Sequence, residues 1–368
     1  MQCSYHDSGA CHSCTLLHLS YGAQLTRAEK YCHHLLPGVA AWLPTAASAP
    51  AHFRNKAKLV VGGTSRQPTL GILDGHQRGV DLADCPLYER PLTHAIPLFR
   101  QVIIRAGLIP YSVPDRRGEL KFVLLTLSPD GELMARFVLR SELQLDALRG
   151  QLPWLRQQLP NLAVVTANLH PEHKAVIDGP TELPLTAQES LPMRLNGLSL
   201  HLRPQSFFQT NTPVAAALYR QAQDWLADSG DIWDLYCGVG GFALHLAAPG
   251  RRTVGVEVSA DAVRAAQLSA RQSTLPPDFV AADAAGWAAS QRTRPDAVVV
   301  NPPRRGIGEL AQWLENSGVR QVVYSSCNPV TLARDLERMP SYSAASGRVF
   351  HMFPQTNHLE VAVHLVRA

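Results

Sequence analysis

The sequence lacks the features of a membrane, secreted or repetitive chain. No apolar run approaches the roughly 18 residues that a spanning helix needs, and no charged-then-apolar leader opens it, so a soluble, cytoplasmic protein is expected. Internal repeats and low-complexity stretches are missing. The cysteines number seven, an odd count unevenly spread, which argues against a disulfide framework. An excess of one charge is absent too: the net charge is +4, which permits an acidic partner without demanding one. No motif points to an obligate protein partner. Acidic residues do vanish locally, between Glu29 and Asp74, while Lys30, Arg54, Lys56, Lys58 and Arg66 fall in that gap. Within it, His52-Phe53-Arg54-Asn55-Lys56 mixes cations with an aromatic ring. That composition suits either a surface that tracks phosphates and stacks bases or a solvated loop beside a strand at 59–62.

What is present suggests two domains. A chain of 368 residues, 46% of them apolar, exceeds one ordinary core, since domains run to roughly 100–200 residues. Up to about residue 190 the pattern is mixed α+β: a hairpin of 121–127 and 134–139 turning on Pro129-Asp130-Gly131, a helix at 147–159 and a strand at 162–168. The proline-punctuated stretch 179–192 reads as a passage into a second domain, giving divisions of 1–190 and 191–368. There a helix is expected from Thr212, with its hydroxyl as cap and Pro213 in the first turn, to about residue 227. Strands at 231–236, 253–258, 278–282, 296–301 and 320–325 then alternate with helical segments. Such alternation predicts an α/β domain with a mostly parallel sheet.

In such a sheet ligands sit beyond the carboxyl ends of the strands. The first strand ends in Asp234-Leu235-Tyr236-Cys237-Gly238-Val239-Gly240-Gly241-Phe242, where glycines allow a tight turn and close approach to a ligand. The second ends at Glu257, placed to accept hydrogen bonds from a ribose diol, and Asp283 follows the third. A dinucleotide fingerprint would need a third spaced glycine, but Gly238 and Gly240-Gly241 are followed by Phe242 and Ala243. A nucleoside-type methyl donor fits better.

The fourth strand ends in Asn301-Pro302-Pro303-Arg304-Arg305-Gly306, and the fifth in Tyr324-Ser325-Ser326-Cys327-Asn328-Pro329. Prolines after a central strand fix an extended exit, so Asn301 projects into the pocket, and the arginines could hold a phosphate. Glu360 stands at the edge of a last strand, 361–366. A thiol and a carboxylate on one rim suit methylation of a pyrimidine carbon. Carbon 5 of uracil is too weak a nucleophile until a thiolate adds at carbon 6, and a base must then remove the C5 proton. An amino methyltransferase acting on adenine or a protein glutamine also uses Asn-Pro-Pro, but normally follows it with an aromatic residue rather than Arg304. It would also leave Cys327 and Glu360 idle.

Cys3, Cys11 and Cys14 are spaced C-x7-C-x2-C, and Cys85-Pro86 follows. Thiols so close in sequence read as metal ligands, and four suit structural zinc or an iron–sulfur cluster equally. The C-x3-C-x2-C loop of radical methyl-donor enzymes is absent. Cys32 and Cys237 stay unassigned by any motif; Cys237, in the glycine turn, reads as a packing residue.

The ordered set Ser206-Phe207-Phe208-Gln209-Thr210-Asn211, Asp234–Phe242, Asn301–Gly306, Ser325–Pro329 and Thr356–Glu360 resembles the bacterial RNA uracil-C5 methyltransferases over essentially the whole chain. The resemblance implies a Rossmann-like methyltransferase domain preceded by an α+β domain that carries an N-terminal [4Fe-4S] cluster and binds RNA. It implies that Gln209, Tyr236, Glu257 and Asn301 contact S-adenosylmethionine, that Cys327 is the nucleophile, and that Glu360 accepts the proton. It further implies the cluster on Cys3, Cys11, Cys14 and Cys85, and a uridine of 23S rRNA as target. Related enzymes often carry Asp where this chain has Asn301; the amide can still hydrogen-bond the donor.

Overall fold

The computed structural model describes residues 1–174 and 177–368. Two compact units form: Met1–Cys14, Pro50–Met193 and Arg203–Gln205 in the first, Thr15–Ala49, Arg194–Leu202 and Ser206–Ala368 in the second. A cut near residue 190 follows the chain, whereas these units are discontinuous. Thr15–Ala49 folds with the C-terminal half because strand Ala41–Ala46 pairs in parallel with Tyr342–Phe350, and helix Tyr21–Leu35 buries Ala28 and Cys32 in the same core.

The first unit is built on a seven-stranded sheet in the order Gly79–Asp81, Pro68–Leu73, Lys56–Gly63, Leu120–Leu127, Leu133–Leu139, Leu162–Leu169, Thr181–Pro184. The expected hairpin forms with Leu127 opposite Leu133 and Gly131 left-handed at φ 85° in its turn. Helix Arg90–Ala106 covers the sheet with Leu92, Ile96, Phe99 and Ile103, fully buried on one face at helical spacing. The helix expected at 147–159 is instead two short ones, Leu145–Arg149 and Leu152–Gln158. Pro153 sits in the first turn of the second, where it can start a helix but could not have continued one. Phe53 corrects another expectation: it is buried, with Asn55, while His52 turns its ring to the Tyr88 carbonyl at 3.0 Å. The ring at this basic segment therefore packs inward rather than offering a stacking surface.

The second unit holds an eight-stranded sheet in the order Ala41–Ala46, Tyr342–Phe350, Glu360–Arg367, Gln321–Ser326, Ala297–Val300, Asp231–Leu235, Arg252–Glu257, Asp278–Ala281. All neighbours are parallel except Glu360–Arg367, which is antiparallel to both of its own. Ala297–Val300 is an unbroken apolar run and is wholly buried, as a central parallel strand should be. Strand order reverses between Asp231–Leu235 and Ala297–Val300, which opens a crevice at their carboxyl ends. Helix Thr212–Trp225 begins where expected, but its cap residue is Asn211. The Asn211 side chain caps nothing; its Nδ2 donates to Ser48 Oγ at 2.7 Å and to the Met352 carbonyl at 3.2 Å.

Candidate active site

Strand register lines up the residues expected on the donor side. Leu235 lies opposite Val256 on one side and Val300 on the other. One step further, at the carboxyl ends, Tyr236 falls between Glu257 and Asn301. Val300 in turn lies opposite Tyr324, so the same step puts Ser325 beside Asn301. Tyr236 turns the chain with a left-handed φ of 68°, and Gly238 follows at 54°. Glu257 spans the turn: its Oε2 accepts from Gly238 N at 3.2 Å and its Oε1 from Ser259 N at 2.9 Å.

The three glycines divide their work differently from the expectation of ligand approach. Only Gly238 faces open space. A Cβ on Gly240 would lie 2.6 Å from Phe279, and one on Gly241 would lie 2.4 Å from the Tyr219 hydroxyl, so these two exist to let side chains pack against the turn. Beneath them Asp234 is fully buried and accepts from Ala243 N at 2.8 Å. Burial pushes its carboxyl up to about 7, against that hydrogen bond. Asp283 caps helix Ala284–Ser290 by accepting from Gly286 N at 2.8 Å.

Nucleophile and base candidates meet on the next pair of strands. Ser326 lies opposite Val361 in the antiparallel register, so the following step sets Cys327 across from Glu360. Glu360 is buried and accepts a hydrogen bond from the Ser325 hydroxyl; burial raises its carboxyl to about 7, and the hydroxyl opposes the rise. The half-buried Cys327 thiol is pushed up by burial and by Glu360, while the Arg304 guanidinium beside it pulls the other way. Arg304 also reaches His358 Nδ1 at 3.1 Å.

The helix that starts after Cys327 grips the loop that leaves Asn301. Asn328 caps helix Pro329–Leu336 through Val330 N and donates Nδ2 to the Arg304 carbonyl at 3.0 Å. Thr331 Oγ donates to the same carbonyl at 3.2 Å, and Arg334 to the Arg305 carbonyl at 2.9 Å. Asp335, buried, accepts from Ile307 N and from the Tyr324 hydroxyl, both at 2.8 Å. The donor side and the thiol side are thus one clamped unit.

A family model described as tRNA (Uracil-5-)-methyltransferase matches residues 186–276 and 291–368. A 23S rRNA (uracil(747)-C(5))-methyltransferase RlmC of Edwardsiella ictaluri is 47% identical over 375 residues, covering 100% of both chains. The chain belongs to the uracil-5-methyltransferase family. An RlmC of Halothiobacillus neapolitanus is likewise 47% identical over 378 residues and 100% of both chains. The solved structure of Pyrococcus abyssi tRNA (uracil-54, C5)-methyltransferase with S-adenosyl-L-homocysteine, 24% identical, matches with a TM-score of 0.82 over 96% of this chain and 85% of that one, which shows a shared fold. Family membership sets aside the dinucleotide and amino-methyltransferase alternatives.

Two groups of expected residues of this uracil-5-methyltransferase stand outside the rim. Gln209 is buried just ahead of helix Thr212–Trp225, off the register row that joins Glu257, Tyr236 and Asn301. Cys3, Cys11, Cys14 and Cys85 line one cavity of about 210 Å3 in the first unit, with Arg54, Lys58 and Tyr88. Burial and then the other three thiols push Cys14 up to about 12. As placed, no three His, Cys, Asp or Glu among the described residues are set around a single metal ion. Cys237 is buried, as a packing residue should be, and the unassigned Cys32 is buried too.

Sequence reasoning missed Ser325, Asn328 and Asp335 as parts of the site. Ser325 opens the Ser325–Pro329 motif, and the Asn-Pro after Cys327 signals a capped helix. Nothing local marks Asp335, whose partners lie in the loop and strand before its helix.

Proposed function

We propose that this chain transfers a methyl group from S-adenosylmethionine to carbon 5 of a uridine in 23S rRNA, the uridine 747 of the relatives' name, by covalent catalysis in the cytoplasm. The observation that carries this reading is Cys327 set across from Glu360, one strand from the Glu257–Tyr236–Asn301 row. Glu257 would read the ribose diol, Tyr236 and Asn301 would flank the donor, and Gln209 would contact it from the neighbouring segment. Open space at Gly238 leaves room for the donor beside Glu257.

The Cys327 thiolate adds to C6 of the uracil, and the C5–C6 π pair moves onto the C4 carbonyl oxygen as an enolate. When bound, S-adenosylmethionine supplies the electrophilic methyl group that C5 takes up. Glu360 then removes the C5 proton; the C–H pair restores the C5–C6 double bond and expels the Cys327 thiolate. A carboxyl raised to about 7 is near its best as a base at neutral pH, and Arg304 partly offsets the burial and the Glu360 charge that hold the Cys327 thiol up. The base must leave its stack to reach this rim. RNA carrying 5-fluorouridine should trap the wild-type enzyme, because fluorine cannot leave as a proton. Mass mapping of 23S rRNA from cells with and without the protein should find 5-methyluridine only in the former; an unchanged map would overturn the substrate.

The first unit would hold a [4Fe-4S] cluster on Cys3, Cys11, Cys14 and Cys85. Four thiols on one cavity are the right donor set, and these cysteines would hold such a cluster as thiolates. Burial and then the neighbouring thiols hold the Cys14 thiol up, and bound iron would favour its thiolate. The cluster would tie the N-terminal segment to the Cys85 loop. Protein purified without oxygen should be brown and contain iron and sulfide; colourless protein with one zinc per chain would contradict the cluster.

A further inference from the structure

A cavity of about 470 Å3 belongs to the second unit and lies off the Cys327–Glu360 pair. One wall is helix Tyr21–Leu35, which presents Gln24, Arg27, Ala28 and Tyr31 at the i, i+3, i+4, i+7 spacing of a single face. The other wall is His351 and Thr356–Leu359. Register fixes its place. Glu360 lies opposite Phe350, so His351 stands one step beyond, on the flank of Glu360 away from Cys327. Across the rim the order is donor row, thiol and carboxylate, then this cavity.

Its lining is suited to one chemistry. None of the lining residues is acidic. Tyr31 is 44% exposed although it is a large aromatic. Arg27 spends only Nε, on Asn357 Oδ1 at 3.3 Å; its terminal nitrogens have no partner among the described residues. His351 Nδ1 engages the Tyr21 hydroxyl at 3.3 Å, and burial holds the ring neutral, with its pKa lowered to about 4. Arg304 and His358 mark the edge toward Cys327. An exposed flat ring and a guanidinium with its terminal nitrogens unspent are what an unstacked nucleotide uses, for stacking and for a phosphate contact.

We propose that this cavity binds an unpaired nucleotide of the substrate RNA next to the target uridine, its base on Tyr31 and its phosphate on Arg27. The inference rests on RNA being the substrate, and its test is separable from that reading. Tyr31→Ala should raise KM for a short RNA hairpin bearing the target by about 5- to 150-fold, the range for losing one stacked base. Tyr31→Phe should restore it, since the ring is kept. Arg27→Ala should weaken RNA binding and lower the salt dependence by about one phosphate. Donor affinity should not move in any of the three. Wild-type enzyme assayed on hairpins with a single abasic site at each flanking position gives a readout free of folding effects. One position should cost wild type as much as Tyr31→Ala costs on intact RNA, and Tyr31→Ala should be indifferent to it. Wild-type KM in both Tyr31→Ala and Arg27→Ala, or no flanking position to which Tyr31→Ala is indifferent, would overturn the site. If wild type formed no 5-methyluridine at all, the substrate reading would fail instead.

Discussion

Asp234 and Glu360 are both carboxylic acids buried at strand ends in one sheet, and burial pushes both up to about 7. Their neighbours differ. Asp234 accepts from Ala243 N beneath the glycine turn, and its second oxygen has no partner among the described residues. Glu360 accepts from a hydroxyl and lies across from a thiol beside a guanidinium. The same shift accompanies a structural brace in one region and a candidate base in the other. A perturbed acid marks an active site only when something reactive faces it.

The likeness can be broken by replacing each acid with its amide. A carboxyl raised on folding costs stability as pH rises from its unfolded value through its folded one, because the folded state binds more protons in that window. Asp234→Asn and Glu360→Gln should therefore each melt higher than wild type at pH 8 and gain nothing near pH 4. At about 1.4 kcal/mol per unit, the ceiling is about 4 kcal/mol for Asp234 and about 3 kcal/mol for Glu360. Thermal melts across pH check this; equal curves at pH 8 would show that burial does not raise the acids.

The glycine turn sharpens the comparison on the donor side. Gly240→Ala forces a left-handed residue at φ 83° against Phe279, and should destabilise by about 2–4 kcal/mol. Gly238→Ala meets only the backbone cost of about 1–2 kcal/mol, but should weaken donor binding, because its space is open to the ligand. Glu257→Ala should weaken S-adenosylmethionine binding by about 1.5–3 kcal/mol by calorimetry, with a smaller effect on melting. Unaltered affinity would remove Glu257 from the donor site. The smallest effect belongs to Ser325→Ala. Losing the hydrogen bond to the carboxylate raises Glu360 further, so the acidic limb of the pH–rate profile should move to higher pH by about one unit or less.

Much of this arrangement was legible in the residues. Apolar runs such as Ala297–Val300 announce parallel strands, and their ends name Tyr236, Glu257, Asn301 and Cys327 as rim residues. Long-range pairing left less trace. Tyr342–Phe350 alternates half-buried and exposed residues along much of its length, and its partner Ala41–Ala46 lies at the other end of the chain. Without that pairing, the helix before Ala41 and the cavity it walls have no local signature. Phe53 misled because an aromatic among cations reads the same whether its ring points in or out.

The central claim is that Cys327 and Glu360 act in sequence on one uracil. A denaturing gel with methyl-labelled donor and target RNA tests it most directly. Glu360→Gln should accumulate a labelled protein–RNA adduct that survives denaturation, because methylation precedes the missing proton removal, whereas Cys327→Ala should form no adduct and transfer no label. Methylation by Cys327→Ala, or free turnover without adduct by Glu360→Gln, would contradict it.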